Sequence, residues 1–80
     1  MKLRILAFGI TRDIMGGSNL QLSVDNVATV GELKQELLRR YPALHGIASL
    51  MIAVNSTYAA DTDPIKPADE VAVIPPVSGG

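Results

Sequence analysis

The chain has 80 residues, 48% of them hydrophobic and 19% charged, and a formal net charge of −1. That length holds one domain burying a little over ~60% of its unfolded surface, with the composition of a globular protein rather than a disordered one. The near-zero charge excludes a strong pull toward nucleic acid or anionic lipid, and the lack of cysteine excludes disulfides, thiolate metal sites and cysteine nucleophiles.

The opening stretch KLRILAF alternates, with Leu3, Ile5 and Ala7 on one side and Lys2, Arg4, Leu6 and Phe8 on the other. It predicts a strand whose second face begins polar and ends apolar. Arg4 and Arg12 interrupt any signal-peptide core, and no apolar run is long enough to cross a bilayer, so a cytoplasmic protein with no membrane partner is expected. Gly16-Gly17 and Ser18-Asn19 supply turn chemistry, after which LQLSV alternates again with Leu20, Leu22 and Val24 inward. The two strands form an antiparallel pair joined by an 11-residue connection read as loop.

TVGELKQELLRRYP carries a capping box, Thr29 followed by Glu32, and an apolar stripe of Val30, Leu33, Leu37 and Tyr41 at helical spacing. Arg39 and Arg40 suit the negative helix end and Pro42 stops continuation, so a helix is predicted from Val30 to about Tyr41. ALHGIASL reads as loop with one helical turn. LMIAVN reads as a short buried strand, NSTY as a tight turn with a minor strand around Tyr58, DTDPIKPAD as loop and EVAVI as the last strand. In that last strand Glu70, Ala72 and Ile74 oppose Val71 and Val73. The order predicts an α+β fold, a β-grasp, with a mixed sheet of about five strands and one main helix on one face. The domain spans residues 1–74 and an extended C-terminal tail spans 75–80.

No side-chain constellation for catalysis stands out. His45 is alone in a loop-like segment, and Asp61 with Asp63 is too sparse a donor set for a cation, so no metal site is expected. Nucleophile-elbow, P-loop and dinucleotide-fingerprint spacings are absent from the sequence. Lys2, Arg4 and Arg12 crowd the start while Asp61, Asp63, Asp69 and Glu70 crowd the late loop; these are solvated faces or contacts to a protein partner. Function therefore rests on binding or carrying.

The chain ends in PPVSGG, Pro75 to Gly80. Two prolines cannot continue a central strand and stiffen the exit, and two residues without Cβ can thread a narrow channel. A terminal carboxylate activated as an acyl-adenylate is open to attack by a sulfur donor. An inert frayed end is the plainer reading of the two glycines taken alone.

DEVAVIPPVSGG, Asp69 to Gly80, resembles the C-terminus of the molybdopterin synthase small subunits, the MoaD branch of the β-grasp, ubiquitin-like sulfur carriers. LAFGITRDIMG with its Arg12-Asp13 pair, TVGELKQEL and IAVNSTYAADTDPI are compatible with the same family. Where the family often has Gly before the Asp of the last turn, this chain has Ala68 after Pro67, which a type I turn tolerates. The resemblance implies a subunit that is not an enzyme on its own and binds no cofactor. An ATP-dependent adenylating enzyme activates the Gly80 carboxylate, which becomes a 1-thioglycine thiocarboxylate. Docked on the large synthase subunit in a two-plus-two heterotetramer, it donates sulfur to cyclic pyranopterin monophosphate to build the dithiolene. Gly79 supplies clearance, and Pro75, Pro76, Val77 and Ser78 form the arm. If the helix covers one sheet face, the face carrying Leu6, Phe8 and Ile74 is open, and Phe8, Tyr58 and Ile74 are expected to anchor the partner with Arg12 at the rim. A thin second core layer is the other reading of these residues. A carrier for thiazole or another thio-product, a ubiquitin-like modifier and a non-carrier interaction module are the rival functions.

Overall fold

The computed structural model describes residues 1–47 and 49–76. Its strands are β1 (Lys2–Ala7), β2 (Asn19–Ser23), β3 (Met51–Val54), β4 (Thr57–Tyr58) and β5 (Glu70–Ile74), and its helices are α1 (Ile10–Met15) and α2 (Val30–Arg40), followed by a 3-10 turn at Pro42–Gly46. The strands form one sheet in the order β2-β1-β5-β3-β4. The central pair β1 and β5 is parallel and the other neighbours are antiparallel. The first and last strands of the chain thus lie side by side at the middle of the sheet. The expected mixed five-stranded sheet with one main helix is present.

The alternation in β1 is realised: Leu3, Ile5 and Ala7 have at most 1% of their surface exposed. Val71 and Val73 of β5 and Ile52 of β3 lie in the same buried cluster. Across from them, α2 buries Val30, Leu33 and Leu37 completely, with Tyr41 half-buried at its end. The helix begins where the capping box places it. Thr29 Oγ1 accepts from the Glu32 N–H at 3.3 Å, and Glu32 Oε1 accepts from the N–H groups of Thr29 at 3.2 Å and Ala28 at 2.8 Å. Two further first-turn amides, those of Val30 and Gly31, donate to the carbonyls of Asp63 and Asp61, both at 2.9 Å. A Cβ on Gly31 would stand 3.2 Å from both Asp61 Cβ and its carbonyl oxygen, so glycine lets the loop approach the helix that closely.

At the other end, Arg40 Nη2 donates to the Ser23 carbonyl at 2.6 Å, tying α2 to the outer strand β2. Hydrogen bonds from Arg39 and then Arg40 hold the Glu36 carboxyl below its ordinary 4.5.

Three local expectations are corrected. The connection between β1 and β2 is not all loop: six of its residues form α1, with Thr11 and Met15, four apart, buried on one side. Met51, read as part of a buried strand, is 45% exposed, because it lies on the sheet face that α2 does not cover. The turn before β5 is not type I. Ala68 has φ of +69° and follows Pro67, and the Asp69 N–H returns to the Lys66 carbonyl at 3.2 Å. A left-handed third position after proline is type II geometry, the place glycine fills without cost. Among the described residues no helix is long and apolar enough to cross a membrane.

Candidate functional site

Registers across the sheet bring four strands together on the open face. Leu6 pairs with Ala72, Ala72 with Ala53, and Ala53 with Tyr58. One row of the face therefore reads large, small, small, large. The two alanines form a floor, and Leu6, Phe8, Ile74 and Tyr58 stand around it, enclosing a concavity of about 270 Å³ with Ser56 and Glu70 at its edge. Phe8 is 49% and Tyr58 64% exposed, unusual for aromatic rings unless a partner covers them. Met51, opposite Ile74 in the ladder, extends the apolar surface.

The opposite end of this face is polar. Arg4 Nη1 lies 3.4 Å from Glu70 Oε2 in an exposed ion pair. Asn55 spans the neighbouring turn, accepting from the Glu70 N–H at 3.0 Å and donating to Asp69 Oδ1 at 3.1 Å. Asn55 and Ser56 both have positive φ, 50° and 72°, the two-residue hairpin geometry that aims Tyr58 back over the sheet.

Of the expected partner residues, Phe8, Tyr58 and Ile74 come together around this concavity, and Leu6 joins them. Arg12 does not line it; it sits exposed on α1, its Nε 3.9 Å from Asp13 Oδ1. The exposed Ile10 of α1 and Met51 were not singled out from the sequence. Asp61 and Asp63, weighed as a cation pair, have local tasks instead. Asp61 Oδ1 meets Lys34 Nζ at 3.3 Å, and Asp63 Oδ2 accepts from the Ala60 N–H at 2.9 Å.

The chain leaves the sheet beside this concavity, at Ile74. Pro75 is half-buried and Pro76 exposed. Gly9 lies close to Pro75, with room for a Cβ at ordinary contact distance, 3.7 Å from the proline Cγ; it is the backbone, φ of +57° and ψ of −129°, that calls for glycine there. Val77, Ser78, Gly79 and Gly80, the expected arm and its reacting carboxylate, lie outside the described residues.

A mixed five-stranded sheet with parallel first and last strands at its centre and one long helix across one face is the β-grasp, ubiquitin-like architecture. The ThiS family model matches residues 5–80, and the chain belongs to that family. It is 31% identical over 81 residues to the molybdopterin synthase sulfur carrier subunit of Arabidopsis thaliana, covering 100% of this chain and 84% of the relative. Among solved structures it superposes on SAMP1 of Haloferax volcanii with a TM-score of 0.81 and 27% identity, covering each chain in full. It also shares the fold of a chain from the Helicobacter pylori complex of subunits 1 and 2 of the molybdopterin-converting factor, with a TM-score of 0.67, 23% identity and full coverage of both chains.

Proposed function

We propose that this chain is the sulfur carrier subunit of a molybdopterin synthase, acting in the cytoplasm. The observation that carries the reading is structural: a cluster of large apolar side chains on the open face surrounds a concavity beside Pro75, where the C-terminal arm begins. A carrier needs its docking surface and its reacting end on the same side, so that binding energy spent at the surface aims the arm. The 31% identity to a subunit of that name over the whole chain supports this branch of the family.

An ATP-dependent adenylating enzyme supplies the activation. The Gly80 carboxylate attacks the α-phosphorus of ATP and releases pyrophosphate. Sulfide from the sulfur donor then attacks the acyl carbon, expels AMP and leaves a thiocarboxylate, with no change of oxidation state. The missing Cβ of Gly80 gives that attack least hindrance, and Gly79 clears the channel. The charged carrier docks on the large synthase subunit, in a two-plus-two assembly, and passes sulfur to cyclic pyranopterin monophosphate. Water then hydrolyses the acyl carbon–sulfur bond, so the sulfur stays on the pyranopterin and Gly80 returns to a carboxylate.

The experiment is an intact-mass measurement after incubation with ATP, the activating enzyme and a sulfur donor. The chain gains the oxygen-to-sulfur difference, localised to Gly80. No gain under conditions that charge a known carrier overturns the reading. The likeness to SAMP1, a protein named as a small archaeal modifier, favours one second function, attachment through Gly80 to lysines of other proteins. A heavier conjugate carrying a Gly80 isopeptide bond is its signature in the same mass spectra.

A further inference from the structure

We propose that Thr11 is a positioning residue that fixes the direction in which the C-terminal arm leaves the sheet. The proposal rests on the carrier reading for its functional consequence, but the device stands on geometry. Thr11 is the only polar residue among the buried ones described, with no exposed surface. Its Oγ1 accepts from the Phe8 N–H at 2.9 Å, and its single proton faces two carbonyls, Phe8 at 2.6 Å and Val73 at 3.0 Å. The hydroxyl therefore joins three parts: the end of β1, the first turn of α1 and the last residues of β5.

The location gives the contact its meaning. β1 ends at Ala7, opposite Val73 in the parallel ladder, and then turns away through Gly9 into α1. Two residues after Val73 comes Pro75, where the arm begins. On one side of the exit the Thr11 hydroxyl holds the Val73 carbonyl. On the other, the Pro75 ring lies beside Gly9, its Cγ 3.7 Å from where a Cβ on Gly9 would stand. Thr11 also holds the backbone of Phe8, whose ring walls the concavity. One buried hydroxyl thus couples the docking surface to the take-off of the arm. A buried hydroxyl is costly unless its partners are met, so the core gives up an apolar side chain here to make this junction.

The test compares Thr11→Val, close in shape but without the hydroxyl, with Thr11→Ser, which keeps the hydroxyl and loses a methyl. The first measurement needs no sulfur chemistry: the NMR cross-relaxation between Gly9 Hα and the Pro75 ring. It is expected to be lost or strongly weakened in Thr11→Val and kept in Thr11→Ser. The second uses the full chain, charged as a thiocarboxylate and saturated with the large subunit, in a single turnover of sulfur transfer. Thr11→Val is expected to slow transfer roughly five- to tenfold, inside the ~100-fold that a misplacement of about 1 Å can cost. Thr11→Ser returns the rate to within about twofold of the parent although its missing methyl lowers the melting temperature. A purely structural threonine gives the opposite pattern, with rates following melting temperature in both variants. An unchanged Gly9–Pro75 contact in Thr11→Val overturns the proposal, and so does an unchanged rate. If the parent chain takes up no sulfur at all, the carrier reading fails while the NMR comparison still decides the clasp. Should Thr11→Val not fold, Thr11→Ala removes the same hydroxyl and enters the same comparison.

Discussion

Along β5, Val71 and Val73 have no exposed surface, whereas Ala72 and Ile74 on alternate positions are only half-buried. The same strand serves two different faces. Under α2 the sheet presents branched aliphatics packed against Val30, Leu33 and Leu37. On the open side it presents two alanines ringed by large side chains, of which Phe8 and Tyr58 are exposed. Close packing of large groups is what stability needs, and a hole between large groups is what recognition needs. The period of two lets both be written in one stretch of chain, with little coupling between them. Substitutions on one face are therefore expected to leave the property of the other face alone.

The largest effect is expected under the helix. Leu37 is fully buried, and Leu37→Ala is expected to cost about 2–5 kcal/mol through lost burial and the cavity left behind. An 80-residue domain has on the order of 4–12 kcal/mol in all, so urea unfolding will show a marginal protein. The fraction that remains folded still binds the large subunit with parental affinity. A second-face defect in that fraction would break the separation.

On the open face the expectation reverses. The double variant Phe8→Ser with Ile74→Ser is expected to keep its melting temperature within about 4–8 °C, the shift for roughly 1 kcal/mol in a domain of this size. Affinity for the large subunit falls by at least ~100-fold, since two centrally placed apolar anchors are removed. Calorimetric titration checks the affinity, and parental binding by a folded double variant removes the concavity from the docking surface.

Much of this division was legible beforehand, and the exceptions have physical reasons. The alternation of KLRILAF and EVAVI announced which residues point together, and Thr29 with Glu32 announced where α2 begins. The open-face grouping of Phe8, Tyr58 and Ile74 followed from that parity together with the family resemblance. Met51 was hidden because the run LMIAV is apolar throughout, so no period-two contrast marks its exposed member. Helix α1 was hidden because six residues are too few to show a period, and helices that short are held by tertiary packing, here of Thr11 and Met15. The task of Thr11 was out of reach for another reason: its partner Val73 stands 62 residues away, and nothing local signals the meeting.

The smallest effect concerns the turn that feeds both faces. Ala68 holds φ of +69°, a conformation that costs an L-residue with a side chain roughly 1–2 kcal/mol. The turn is pinned regardless, because the Ala68 N–H donates to the Lys2 carbonyl at 3.2 Å and the Arg4 N–H to the Asp69 carbonyl at 3.3 Å. Those contacts set the register of β5 against β1, and with it the parity of Val71, Ala72, Val73 and Ile74. Glycine removes the strain but adds freedom to the unfolded chain, a penalty of roughly 0.5–1 kcal/mol. The balance favours Ala68→Gly by up to about 1 kcal/mol, a rise of a few degrees in melting temperature. Because the register does not change, partner affinity and sulfur transfer stay at parental values. A gain in stability with no change in binding is the cleanest sharpening of the two-face division. A fall in melting temperature instead would mean that the left-handed alanine is compensated locally and stores no strain.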